Sequence, residues 1–435
     1  MPAQRSTSLN PGVKRREVWA WAMFDFANSG YTTVVITAVY NAYFVAVIAG
    51  NAAWASFAWS AALAVSYLVI MFSAPILGAI ADASGAKKRL LGISTLGCVL
   101  ATAALALPQP GQIVWAMALI AVSNFFFGTG ENLIAAFLPE LARGRALGRI
   151  SGLGWGIGFL GGIVSLGLAL AYVSHVQAAG GGATQFVPGV LLITAGLFVL
   201  SSLPTFLLLR ERAQPRPLQA GLSLGAYAQL LQSLRQLRLF QDLRRFLYCI
   251  VFYQAGVMAV IALAAVYAQQ AMHFDTRQTI ELILIVNVTA ALGALGFGQI
   301  QDRIGHKAAL TITLIAWLCM IALAYSATTT TRFWLAANLA GLSLGASQSA
   351  GRALVGYLSP KTHRAEFFGL WGLAVKLSSI LGPISYGAAV WMSGGNHRQA
   401  MLFTGVYFVV GLLVLLGVDV RRGRKAALRM NHAAH

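Results

Sequence analysis

The stretches "GAIADASGAKK" (78–88) and "GQIQDRIGHK" (298–307) decide the architecture of this chain. Gly78, Asp82, Gly85 and Lys87 of the first reappear as Gly298, Asp302, Gly305 and Lys307 in the second, each 220 residues later. Four matches at one offset mark an internal repeat, so the chain is read as two copies of one unit. Each part of the motif has a physical job. The leading glycines let helices approach closely. The aspartates are suited to accept from the free N–H groups of a neighbouring helix N-terminus, or to pair with a base. The basic residues, Lys87, Lys307 and Arg303 among them, hold the turn at an anionic membrane surface. A contact of this kind closes one face of a two-part molecule and breaks when that face opens.

The repeat sits in an apolar chain. Of 435 residues 58% are hydrophobic and 10% are charged, whereas a soluble domain is about a quarter charged. Twelve apolar runs are long enough to cross a bilayer: 18–47, 54–81, 90–108, 112–138, 149–173, 188–209, 246–270, 279–301, 308–327, 331–358, 366–392 and 399–418. Helices are expected, because an unpaired backbone is too costly in lipid. The predicted fold is therefore an all-α membrane protein with twelve transmembrane helices in two pseudo-symmetric six-helix bundles. Its parts are an N-tail (1–17), a first bundle (18–209), a linker (210–245), a second bundle (246–420) and a basic C-tail (421–435). Within the linker, 227–240 reads as an amphipathic helix on the lipid surface, with a solvated linker as the alternative.

The net charge of +19 is explained by topology rather than by a nucleic-acid partner. With the N-terminus inside, 26 of the 31 Lys and Arg fall in the tails and on one set of loops. That bias places both termini in the cytoplasm and the protein in the cell membrane. Lys14-Arg15-Arg16 precedes a first span that is too long for a signal-peptide core and lacks an A-x-A site, so no cleavable signal is expected. Cys98, Cys249 and Cys319 have no paired spacing, and the seven histidines lie in loops or the tail. Neither a disulfide framework nor a metal site follows, and no cofactor is expected. Trp19, Trp21, Trp54 and Trp391 read as interfacial belts, and Trp155 and Trp371 as core, with cavity lining as the alternative. Gly154, Gly158 and Gly162, spaced by four, suit tight helix packing.

Charges inside the spans carry the functional reading. An ionised carboxylate in a lipid-facing helix costs at least ~2.5–3.5 kcal/mol, yet "WAMFDFANSGYTT" (21–33) contains Asp25. Asp25, Asn28, Ser29 and Thr32 share one helical face. Span 4 puts Asn124, Gly128 and Glu131 on a face. Span 10 aligns Asn338, Gly341, Gly345, Gln348 and Arg352, and span 11 aligns Gly372, Lys376, Ser379 and Pro383. Two acids thus lie in the first half and two bases in the second. Either they face a wet cavity and act on cargo, or they form static ion pairs locking the halves. The candidate binding residues are Asp25, Asn28, Thr32, Glu131, Gln254, Asn338, Gln348, Arg352 and Lys376.

The repeated loop motif in a chain of twelve spans resembles the major facilitator superfamily. The first copy has Ala83 where the pattern carries a basic residue; the second has Arg303. A narrower set of strings is similar to the vacuole-effluxer-like branch: "FDFANSGY" (24–31), "AFLPEL" (136–141), "RISGLGWGIGFLGG" (149–162), "GASQSAGRALVGYLSP" (345–360), "AEFFGL" (365–370) and "VDVRRG" (418–423). They run in order along nearly the whole chain. This chain departs from the branch at Ala255, before Gly256, and at Ile134 and Ala135. The resemblance implies central-cavity helices 1, 4, 7 and 10. It also implies a monomeric secondary transporter working by alternating access. Fungal members of the branch are associated with autophagy and amino-acid release, so an amino-acid-like cargo is expected. Protons are the expected coupling ion, because a carboxylate in a partly dry cavity is pushed toward protonation. Drug efflux is the alternative transport reading. A membrane-embedded enzyme would need a nucleophile–base or metal constellation, which the spans lack. A sensor would need an added signalling domain.

Overall fold

The computed structural model describes residues 9–433, apart from 51, 53, 145, 213–234, 236, 273, 275, 361, 362 and 395. Most of the stretch read as an amphipathic linker helix lies outside the described residues.

The described chain is helical almost throughout. The long helices are α1 (Arg15–Ile48), α2 (Ala55–Ser84), α3 (Lys87–Ala104), α4 (Ile113–Ala135), α5 (Ala146–Ala178) and α6 (Ala183–Leu208). After the linker come α7 (Gln241–Met272), α8 (Thr276–Ile304), α9 (His306–Ser326), α10 (Thr330–Leu358), α11 (Arg364–Met392), α12 (His397–Leu416) and a final α13 (Val420–Ala433). A one-turn helix, Leu138–Leu141, follows α4. Among the described residues ten helices are long and apolar enough to cross a membrane. α3 and α10 fall outside that set. α3 opens with Lys87, Lys88 and Arg89, and α10 carries Ser343, Ser347, Gln348, Ser349 and Arg352. The protein is a multi-pass membrane protein with an all-helical fold.

The second glycine of each motif copy is required by the backbone. Gly85 ends α2 at φ 61° and Gly305 precedes α9 at φ 95°, a region that disfavours residues with a Cβ. α1 is not a uniform α-helix: Thr32–Ala38 and Phe44–Ile48 are π-helical. Bonding from i to i+5 turns the residues after Thr32 off the α-helical register.

Packing in the first half is matched helix for helix in the second. α1 packs on α5 and α6, and α7 on α11 and α12. α4 packs on α2 and α3, and α10 on α8 and α9. The halves meet mainly where α2 lies along α11 and where α5 lies along α8. At both seams small residues bring backbones together: a Cβ on Gly78 would run into the Ala365 carbonyl, and one on Gly298 into the Gly148 carbonyl.

Candidate functional site

Asp25 and Arg352 form an ion pair across the halves, Oδ2 to a guanidinium nitrogen at 2.8 Å, with side chains 10% and 3% exposed. Both come from helix faces that point inward. α5 makes room, because Gly154 lies directly against the pair, where any Cβ would collide. The guanidinium is held on several sides. Its Nε donates to Ser151 Oγ at 3.2 Å and one NH2 to the Ser151 carbonyl at 3.0 Å. Trp21 and Trp155 stack on it, 4.7 and 5.2 Å from ring centre to guanidinium carbon, the contact expected of a cation against aromatic faces.

A second cross-half pair lies beside it in the fold. Lys376 Nζ donates to Glu131 Oε2 at 3.0 Å, and the ammonium sits 5.5 and 5.6 Å from the rings of Tyr67 and Phe127. α4 approaches closely here because Gly128 leaves space for the lysine stem. Gln254 and Gln348, from α7 and α10, bond each other at 2.7 Å and are buried. Asn28 is buried, and its side-chain Oδ1 has no hydrogen-bond partner among the described residues.

Two candidates are not brought to these pairs. Asn338 donates to its own helix at the Trp334 carbonyl, 2.8 Å, fourteen residues before Arg352. Thr32 opens the π-helical segment and donates to the Asn28 carbonyl at 3.1 Å, four residues back, so it still stands in α-helical register with Asn28. Trp21 corrects the belt reading. It is fully buried, donates to the Ile134 carbonyl at 2.8 Å and covers Arg352. It precedes Asp25 by four residues, which puts it on the acid's face of α1. Trp155, read as core, also faces the guanidinium. Trp19, Trp54 and Trp391 are exposed, as a belt requires.

The loop motifs close one end of the molecule, here called the motif face. Asp82 accepts from the Glu366 N–H at 3.0 Å, in the first turn of α11. Asp302 accepts from the Arg149 N–H at 3.1 Å, in the first turns of α5. Each aspartate therefore serves the N-terminus of a helix in the opposite half. The repeat extends to the receiving side: Gly148, Arg149 and Gly152 of α5 correspond to Ala365, Glu366 and Gly369 of α11, all 217 residues apart.

Behind the first motif lies a network that residue spacing did not reveal. Lys87 bonds Glu140 and lies 3.7 Å from Asp82. Glu140 also accepts from the Arg212 N–H at 3.0 Å, and Arg212 pairs with Glu17 at 2.9 Å. Glu211 accepts from the Lys87 and Lys88 N–H groups at 2.6 and 3.1 Å. Burial pushes the Glu211 carboxyl above the ordinary range, and those N–H groups pull it back. In the second half Asp242 pairs with Arg422 at 2.7 Å, the counterpart of Glu17 with Arg212. Asp419 accepts from the N–H groups of Arg422 and Arg421, which hold its carboxyl below the ordinary range. These partners lie beyond the helix that carries the motif, so no local pattern announces them.

This arrangement defines a major facilitator transporter. Solved structures with the same fold include the human organic anion transporter MFSD10 (TETRAN), with TM-score 0.69 and 16% identity, covering 92% of this chain and 99% of that one. The proton:xylose symporter XylE also matches, with TM-score 0.69 and 14% identity over 92% and 95% of the two chains. Within that class, the family described as "Vacuole effluxer Atg22 like" matches residues 38–148 and 146–428, and the chain belongs to it. An uncharacterized MFS-type transporter, YxiO of Bacillus subtilis (strain 168), is 26% identical over 95% of this chain and 97% of its own length. Autophagy-related protein 22-1 of Penicillium rubens is 26% identical over 65% of this chain. The chain spans about half the length of that fungal relative, 51%. These proteins are transporters rather than enzymes.

Proposed function

We propose that the protein is a proton-coupled secondary transporter of a small amino-acid-like solute, working by alternating access. The observation that carries this is the pair of acid–base contacts, Asp25–Arg352 and Glu131–Lys376, each spanning the two halves. In each pair the acid occupies the base that a cargo carboxylate would need. A proton on Asp25 weakens its hold on Arg352, and the freed guanidinium takes the carboxylate in bidentate fashion. The cargo's ammonium is left to Glu131 or to the aromatic rings of Trp21 and Trp155. Binding and proton uptake are thereby linked, because both act on one ion pair.

The proposal includes twelve spans in two six-helix bundles, with α3 and α10 crossing alongside the ten more apolar helices. The charge bias puts the motif face and both tails on the cytoplasmic side of the cell membrane, and the working unit is a monomer. No metal or cofactor is invoked. The test is uptake of radiolabelled amino acids into proteoliposomes under an imposed pH gradient. Gradient-driven accumulation that vanishes in Asp25→Asn supports coupling at this acid. Accumulation unchanged by Asp25→Asn removes Asp25 from the coupling step.

A further inference from the structure

At the motif face of the second half, a groove of about 1020 Å³ opens between the start of α7, the α8–α9 turn, the end of α12 and the start of α13. Four basic side chains line it, Arg245, Lys307, Arg421 and Arg422, against one carboxylate, Asp419. Arg422 is occupied by Asp242, and Asp419 by the first turn of α13. Lys307 donates to the Leu416 and Val418 carbonyls, and Arg245 to the Gly417 carbonyl. Those bonds fix where the two cations stand without cancelling their charge.

The first half shows what belongs in this place. There a carboxylate, Glu211, sits over the start of α3 and takes the Lys87 and Lys88 N–H groups. By the 220-residue repeat, the counterparts of Lys87 and Lys88 are Lys307 and Ala308, and both line the groove. By the matching Glu17–Arg212 and Asp242–Arg422 pairs the place of Glu211 falls to Arg421, and by the matching Arg210 and Asp419 N–H bonds to those acids it falls to Val420. Neither is a carboxylate, so the second half has no carboxylate in the place of Glu211.

The groove's other wall is apolar. Ile304, Ile312 and Leu416 line it and are 43%, 46% and 57% exposed. One turn further along the same helices Ile315 and Leu413 are exposed as well. A cationic floor continuous with a lipid-facing apolar wall suits a molecule with an anionic head and an acyl chain.

We propose that this groove binds an anionic phospholipid, its phosphate held by Lys307, Arg245 and Arg421 and its acyl chain laid along Ile304, Ile312 and Leu416. The inference needs the membrane setting of the fold and not the transport reading, and its test reads lipid rather than transport. Purified protein is exchanged into nanodiscs of phosphatidylcholine with or without phosphatidylglycerol or cardiolipin, and bound lipid is read by native mass spectrometry. The wild type retains the anionic lipid selectively. Arg421→Gln lowers its apparent affinity about five-fold, the worth of one basic residue near a charged surface. Arg421→Glu, which puts a carboxylate in the groove, lowers it further. Arg421 is exposed, so neither change threatens the fold, and an unchanged Tm in lipid-free detergent verifies this; Arg245→Gln provides a second, independent variant. Equal retention of phosphatidylcholine, or wild-type retention in Arg421→Glu, overturns the proposal. Displacement of the lipid by millimolar inorganic phosphate also overturns it, making the groove a soluble-anion site.

Discussion

Arg352 is held from several sides. Its partners are a carboxylate from α1, a hydroxyl and a carbonyl from α5, and two indole rings. Two roles compete for it, cargo recognition and static cross-linking of the halves, and they separate under mutation. Arg352→Gln strands Asp25 in a buried site, and a structural pair loses about 3–5 kcal/mol when one partner goes. Asp25→Asn on top of it then restores most of that stability. If instead Arg352 receives cargo, Arg352→Lys keeps the charge and the fold but loses the bidentate fork, so cargo affinity falls while Tm barely moves. Tm and cargo affinity on the two singles and the double form the cycle; unchanged affinity in Arg352→Lys ends the recognition role. The four intramembrane charges were legible in the sequence because lipid makes them conspicuous. Pairing across the halves was one of the two readings, but which acid meets which base was not legible, since helix spacing orders residues along one helix and says nothing about its neighbour. Trp21 was misread for the same reason: nearness to a span end says belt, and only the packing of α1 against α4 and α5 shows it buried.

At the scale of the helix, each motif aspartate acts on the end of a helix in the other half. The free N–H groups of a helix N-terminus favour a negative charge by about 0.3–1 kcal/mol, and up to ~2 kcal/mol in partly buried geometry. Asp82→Asn and Asp302→Asn keep an acceptor but remove the charge, so each shifts the equilibrium away from the closed motif face by up to about thirty-fold. Asp→Ala removes both charge and acceptor and shifts it further. The two sites sit on separate seams, so their effects add. Spin-label distances across the motif face measure the closed fraction. Wild-type distances in the alanine double variant reduce the two loops to topological anchors. The long apolar helices and the repeat were readable because apolar runs and motif spacing are local properties. The π-helical stretches of α1 were not: nothing in "TTVVITA" (32–38) separates a π-helix from an α-helix, so the face drawn on α-helical spacing holds as far as Thr32 and turns beyond it.

For the whole molecule, the two seams are copies of one contact. Gly152 of α5 faces the Ala294 carbonyl of α8, and Gly369 of α11 faces the Ala74 carbonyl of α2. Ala74 and Ala294 are again 220 residues apart, and Gly152 and Gly369 again 217. The nearest atoms to either glycine's missing Cβ all belong to the opposite half. The first collision of a side chain there is with the opposite half, so it opposes the closed motif face. Gly152→Leu with Gly369→Leu drives a wedge into both seams at once, at positions where backbone meets backbone and no flexible side chain can yield. Ser349 is a suitable reporter: it is buried, lies at the seam and donates to the Gly148 carbonyl at 3.4 Å. With the exposed Cys319 changed to Ser, Cys98 and Cys249 remain buried, and a cysteine in place of Ser349 becomes the readily labelled thiol. In the wild-type background that thiol resists a water-soluble maleimide. In the wedged variant its labelling rises at least ten-fold, the melting transition remains cooperative, and transport stops because the motif face no longer closes. A folded wedged variant whose thiol stays as protected as before would show that the seams are fixed packing, and that the halves do not part along them.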